Sequence, residues 1–119
     1  LQAMVAWRGT DRVGLISYNI VGSSCEIVTL NSMVENIGVG SALIDMLVQV
    51  MEILHMRRLW LITTNDNLRA LGFYQRRGFR LVKVHRGGVD KARERKPEIP
   101  HIGMNRIPLR DEIELERLL

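Results

Sequence analysis

Two glycines, Gly38 and Gly40, stand in the stretch Asn36-Ile-Gly-Val-Gly-Ser-Ala-Leu43, at the point where a long apolar periodic run begins. Glycine more often closes a helix than opens one. A pair at the start therefore asks for a reason that lies in the absent side chains. The first turn of a helix carries backbone N–H groups without intrahelical partners and a partial positive charge, which together make an anion site. With no Cβ at 38 or 40, a phosphate group can approach those N–H groups closely. A flexible loop leading into a helix accounts for the same residues without any ligand. Two familiar phosphate motifs are excluded. A dinucleotide fingerprint needs a third glycine at position 43, where Leu43 stands, and a tight turn straight off a strand, where this chain has seven residues from Asn31 to Ile37. A P-loop needs Gly-Lys-Ser/Thr.

Other chemistries leave weaker traces. Cys25 is the sole cysteine, so no intrachain disulfide and no cysteine-rich metal site is expected, which fits a reducing compartment. His55, His85 and His101 have no metal-ligand spacing, and no metal is expected. Seventeen Lys and Arg against 13 Asp and Glu leave a charge of +4. The basic residues are dispersed and aromatics are only 5%, which argues against nucleic acid as a partner. The run Arg93 to Lys96 reads as a solvated helix face. No apolar stretch reaches membrane-spanning length and no secretory signal opens the chain, so a soluble, cytoplasmic protein without a membrane partner is expected.

The elements that position the glycines follow from periodicity. At 119 residues and 46% hydrophobic content, residues 1–119 are expected to form a single domain with one core. Gln2 to Arg8 and Val13 to Val21 are apolar runs separated by the turn chemistry of Gly9 to Arg12, and Gly22-Ser23-Ser24 turns the chain into a third run, Cys25 to Leu30. Three strands with short turns are antiparallel. Plain alternation puts Glu26, Val28 and Leu30 on one face of the third strand. From Ser41 to Met56 only Ser41, Asp45, Gln49, Glu52 and His55 are polar, at spacings of three and four, a narrow seam on a helix. A helix this apolar needs cover on a second side. A segment preceding Leu1, or a second copy in a homodimer, would supply it, and the chain opens so directly on a strand that N-terminal elements are expected to be missing. Arg57 and Arg58 suit the negative end of that helix. Leu59 to Thr63 is a buried strand, and the intervening helix allows it to run parallel to the third. A polar turn, Thr64 to Asn67, caps a helix from Leu68 to about Arg76 that stops at Gly78. Phe79 to His85 and Asp111 to Leu118 read as further strands, with a short helix and proline-stiffened loop over Asp90 to Pro100.

Behind the glycine-opened helix stands Asn67-Leu-Arg-Ala-Leu-Gly-Phe-Tyr-Gln-Arg-Arg-Gly-Phe79. The two segments, in this order and spacing, resemble the GNAT (GCN5-related N-acetyltransferase) superfamily, with the C-terminal stretch similar to that of an uncharacterised bacterial subgroup. The second family element is complete in Asn67, Ala70, Phe73, Tyr74, Gly78 and Phe79. The first has Gly38 and Gly40 in place but Glu35 where Arg or Gln is usual, and Glu35 is given no ligand role. The resemblance covers about Gln2 to His85. It implies an α/β fold with a mixed, mostly antiparallel sheet flanked by helices and a parallel, splayed strand pair at its centre.

The resemblance further implies acetyl-CoA as acetyl donor and a primary amine, on a small molecule or a peptide, as acceptor. Backbone N–H groups of Gly38, Val39, Gly40, Ser41, Ala42 and Leu43 would hold the diphosphate. The backbone of Leu30, where the third strand splays from the fourth, would bond the pantetheine arm. Asn67 would contact that arm or cap its helix, and the two roles are compatible. Tyr74 would act as general acid to the leaving thiolate, or else pack the helix on the sheet. Glu26 would take the amine's proton directly or through water, or else remain a solvated strand-end carboxylate. Nothing in the sequence makes Cys25 an acyl carrier, so direct transfer is expected. A non-catalytic CoA-binding module is the alternative from another class.

Overall fold

The computed structural model describes residues 1–32 and 38–119. In chain order the elements are strands β1 (Gln2–Arg8), β2 (Asp11–Val21) and β3 (Ser24–Ser32), helix α1 (Val39–Ile53), strand β4 (Arg58–Thr64), helix α2 (Leu68–Arg76), strand β5 (Arg80–His85), helix α3 (Gly88–Arg95), a 3₁₀ turn at Met104–Arg106 and strand β6 (Glu112–Leu118). The strands form one six-stranded sheet in the order β1-β2-β3-β4-β6-β5. β1 with β2, β2 with β3 and β5 with β6 are antiparallel, and β3 with β4 is parallel. This is the expected mixed sheet with its parallel pair. Two compact units divide the chain, residues 1–60 with 117–119, and residues 61–116.

In the first unit, Gly9 and Gly22 take positive φ (63° and 61°) at the two hairpin turns, a conformation that only glycine adopts without strain. α1 packs on β1, β2 and β3. It buries Val39, Leu43, Ile44, Leu47, Val48 and Met51, one face at spacings of three and four. Asp45, Gln49 and Glu52 of the polar seam are exposed, as are Met46 and Ile53 beside it. The helix ends before Arg57 and Arg58, which therefore do not face its last turn as expected. Met56 N–H donates to the Met51 carbonyl (2.9 Å) and His55 N–H to that of Glu52 (3.0 Å), a Schellman closure with His55 (φ 59°) in the left-handed position usually given to glycine.

The pairing of β2 with β3 overturns one expectation. Ser17 lies opposite Thr29 and Tyr18 opposite Ile27, so Val28 has no opposite number and β3 is bulged there. Opposed residues share a face of the sheet. Past the bulge, Leu30 lies opposite Ile16 and has moved to the face of Ile27 and Tyr18, away from Glu26. One inserted residue reverses the alternation that places Glu26 and Leu30 together.

In the second unit the core is built from Leu61, Tyr74, Phe79, Val89, Leu109 and Leu115. α2 closes with Gly78 (φ 88°), Phe79 N–H donating to the Tyr74 carbonyl at 3.1 Å. Arg93 departs from the solvated face expected of it. Its side chain is 10% exposed and donates to the carbonyls of Ile99 (3.1 Å), Pro100 (2.8 Å) and Leu109 (2.8 Å) and to Asp90 Oδ1 (2.8 Å). The loop after α3 has an isolated antiparallel bridge, Ile102 with Pro108, and the five-donor guanidinium satisfies carbonyls on either side of it. Glu94, Arg95 and Lys96 are exposed.

Candidate functional site

The α1 start answers what the glycine pair supplies. Gly38 is the N-cap with φ 77° and ψ 15°, a left-handed conformation, and no side chain caps the helix. A Cβ placed on Gly38 would meet nothing within 4 Å among the described residues. The intrahelical ladder begins with Ala42 N–H donating to the Gly38 carbonyl at 3.0 Å. The N–H of Ala42 is thus engaged, and what the helix offers an anion lies ahead of it, at Gly38, Val39 and Gly40. The first turn itself contains no acidic residue, so none of its own side chains neutralises the positive pole.

A third glycine, overlooked in the sequence, fixes this helix end. A Cβ on Gly14 in β2 would lie 2.5 Å from Val39 Cγ1, 3.1 Å from Leu43 Cδ1 and 3.2 Å from the Asn31 carbonyl oxygen. Val39 and Leu43 are buried on that strand. The bare backbone at 14 therefore sets how closely the first turn of α1 seats on the sheet. Of the predicted diphosphate ligands, Val39 is buried and has only backbone to offer, Ser41 is half-buried, and Ala42 and Leu43 lie within the helical ladder. Glu35 and the rest of 33–37 lie outside the described residues.

The parallel pairing of β3 with β4 spans three residue pairs, ending at Glu26 opposite Trp60. β3 continues to Ser32. Among the described residues, the backbone of β3 beyond Glu26, Leu30 included, has no β4 partner in the register. Glu26 is half-buried, opposite Asn19 on β2. Cys25 is fully buried and burial, then the Glu26 charge, pushes its thiol up to about 11.

In the second unit, Asn67 caps α2 with its Oδ1 accepting from Ala70 N–H at 3.1 Å. Among the described residues its Nδ2 has no partner, so cap and ligand contact are open to one side chain. Two turns on, the Tyr74 ring is 7% exposed. It meets Phe73 (centroids 5.1 Å, 88°) and Phe79 (5.3 Å, 72°) edge to face. Burial pushes its phenol up to about 12. No described side-chain nitrogen or oxygen is both buried and unpartnered, and Tyr74 has no hydrogen bond among the described residues. Its hydroxyl therefore keeps some exposure at the end of an otherwise packed ring. The structure brings Glu26, Leu30 and 38–43 into one unit, and Asn67 and Tyr74 into the other. No described group of three or more His, Cys, Asp or Glu is arranged to hold a metal ion. No described helix is long and apolar enough to cross a membrane.

Comparison with known proteins gives this geometry its context. A model of the acetyltransferase (GNAT) family matches residues 2–79. The uncharacterized protein YdhI of Bacillus subtilis (strain 168) is 45% identical over 107 residues, covering 90% of this chain and 67% of that protein. Among solved structures, an IAA acetyltransferase from Bacillus cereus ATCC 14579 is 25% identical with a TM-score of 0.82, over 98% of this chain and 77% of that one. A Bacillus subtilis acetyltransferase in complex with CoA shares the fold at 22% identity, with a TM-score of 0.86 over 98% of this chain and 76% of that one.

Proposed function

The chain belongs to the acetyltransferase (GNAT) family, and from that premise we propose that it works as one domain that moves the acetyl group of acetyl-CoA directly to a primary amine of a small molecule or peptide. The observation that carries the reading is the α1 start: a helix end with no side-chain cap and no acid in its first turn, opened by a left-handed glycine and seated on β2 through Gly14. It suits a diphosphate, which the first-turn N–H groups receive.

The remaining residues divide the reaction among them. The backbone of Leu30, paired with Ile16 on β2 but without a β4 partner in the register, and the Nδ2 of Asn67 hold the pantetheine arm. Glu26 takes a proton from the ammonium form of the acceptor, leaving a neutral amine whose lone pair attacks the thioester carbonyl. As the C–S bond breaks, the Tyr74 hydroxyl donates to the departing sulfur and regains its proton from solvent. The net change is amine plus acetyl-CoA giving amide plus CoA thiol. Cys25 has no part, because a thiol raised to about 11 is scarcely ionised at neutral pH.

Gly40→Asp tests the diphosphate site. An acidic residue in the first turn of a helix suits the dipole, so the fold is retained. The carboxylate then faces the diphosphate; at about 5 Å and an effective dielectric of about 20, each unit of like charge costs roughly 3 kcal/mol, on the order of 10² in affinity. Calorimetric titration with acetyl-CoA is expected to show that loss in a folded variant. Unchanged affinity removes the diphosphate site.

A further inference from the structure

The turn between β4 and α2 contains more than a helix cap requires. Asp66 is 3% exposed, a carboxylate taken out of water. Its Oδ1 accepts from the Thr64 hydroxyl (2.5 Å) and its Oδ2 from Met104 N–H (2.8 Å). Its backbone oxygen accepts from Leu68 N–H (3.0 Å) and from Asn105 Nδ2 (3.2 Å). A Cβ on Gly103 would stand 2.1 Å from Asp66 Oδ2, although the Gly103 backbone (φ −98°, ψ −154°) is one that other residues adopt. Glycine is there for room. Asn65 acts in the same sense, its Oδ1 accepting from Arg110 N–H (3.1 Å) and Asp111 N–H (3.0 Å) and its Nδ2 donating to the Pro108 carbonyl (2.9 Å).

The segment held in this way is closed and strained. Gly103 N–H donates to the Ile107 carbonyl (2.8 Å) and Leu109 N–H to that of His101 (2.9 Å). Asn105 and Arg106 both sit at φ 59°, a conformation that persists in such residues only where the surroundings over-determine it. Burying a carboxylate is costly unless its hydrogen bonds are complete. Capping α2 does not need one, since Asn67 does that alone. Asp66 is bonded on one side to the 103–105 turn and on the other, through one peptide link, to Asn67.

We propose that Asp66 is a positioning residue for acetyl transfer: by clasping the Gly103–Asn105 turn against the peptide that enters α2, it fixes the Asn67 side chain so that Nδ2 faces the pantetheine arm. The inference rests on the acetyl-CoA reading above and deepens it. Asp66 itself touches no substrate. The loop and the helix entrance behave as one body, and loosening the clasp anywhere is felt at Asn67.

The test separates the arm from the nucleotide. Gly103→Ala and Asp66→Ala open the clasp from opposite sides, with Asp66→Asn as the milder variant should either fail to fold. Full-length chains are titrated with acetyl-CoA and with adenosine 3′,5′-diphosphate, which lacks the arm. Loss of one positioned hydrogen bond is about ten-fold in affinity. Each folded variant is expected to bind acetyl-CoA about ten-fold more weakly and the nucleotide as wild type does. In an Asn67→Ala background, which shows the same loss, Gly103→Ala is expected to cost nothing further. Equal weakening of both ligands, no weakening of acetyl-CoA, or losses that add to Asn67→Ala would each overturn the positioning role while leaving the acetyl-CoA reading standing. A wild-type chain that binds neither ligand overturns the acetyl-CoA reading itself and this role with it.

Discussion

Replacing Tyr74 by phenylalanine removes one oxygen from a ring whose packing is otherwise complete. The ring is 7% exposed and held edge to face by Phe73 and Phe79 at 5.1 and 5.3 Å, contacts that phenylalanine keeps. With no hydrogen bond to the hydroxyl among the described residues, thermal stability at pH 7 to 9 is expected to be the same in both proteins. Burial raises the phenol from its ordinary 10 to about 12. A raised pKa on an acid means that the fold favours the neutral form, so the wild type is unaffected below pH 10 and loses stability as pH rises from 10 through 12, by roughly 2–3 kcal/mol in full. The phenylalanine variant has nothing to ionise and is expected to be the more stable protein above pH 10. The same shift would keep a proton donor at Tyr74 loaded throughout the working range. Turnover, followed as CoA thiol release with an accepted amine, is expected to fall by about 10² in the variant, as for loss of a general acid. Acetyl-CoA affinity should change little. The ratio of the two rates should stay flat from pH 7 to 10, because Tyr74 does not titrate there. Equal turnover in the two proteins would refute the acid role and leave Tyr74 as packing. A ratio that collapses below pH 9 would refute the burial argument for its pKa.

Gly14→Val, placing carbon where Val39 Cγ1 already lies 2.5 Å from a Cβ, is expected to destabilise by about 1–3 kcal/mol in denaturant titration and to weaken acetyl-CoA binding as α1 is displaced; a stable variant with wild-type affinity would show that the helix start is not set by Gly14. Cys25→Ala should retain turnover, and mass spectrometry after incubation with acetyl-CoA alone should find no acetyl thioester, since at pH 8 a thiol of about 11 is roughly one part in a thousand thiolate; stoichiometric acetyl-Cys25 would contradict direct transfer. Arg93→Ala leaves three loop carbonyls without their donor and is expected to cost about 2–4 kcal/mol in thermal or chemical unfolding, whereas Arg95→Ala, on the exposed side, should be neutral; equal effects would remove Arg93 as the anchor of that loop.

The sequence signals that survived in the structure are those written in short-range chemistry. The glycine-opened helix, the Asn67 cap three residues before Ala70 and the Gly78 closure depend on residues within one turn of each other. What could not be read depends on neighbours distant in the chain. The bulge at Val28 arises from pairing with β2, and alternation alone, which gives no sign of an inserted residue, predicts the opposite face for Leu30. Gly14 resembles any strand glycine until α1 is laid against it. Asp66 sits in a run of polar turn residues, and only its meeting with Gly103, 37 positions further on, buries it. Arg93 lies in a charged run whose pattern is that of a solvated helix; three carbonyls from a loop that follows it make it an anchor.

Acetyl transfer is tested most directly by the initial rate of CoA thiol release from acetyl-CoA, with the full chain and a panel of small primary amines and peptide N-termini. Amine-dependent release that saturates in acetyl-CoA, with a matching N-acetylated product by mass spectrometry, is the expected result. Tight binding of acetyl-CoA with no amine raising thiol release above the background of hydrolysis would contradict it, and the chain would then be a CoA-binding module without catalysis.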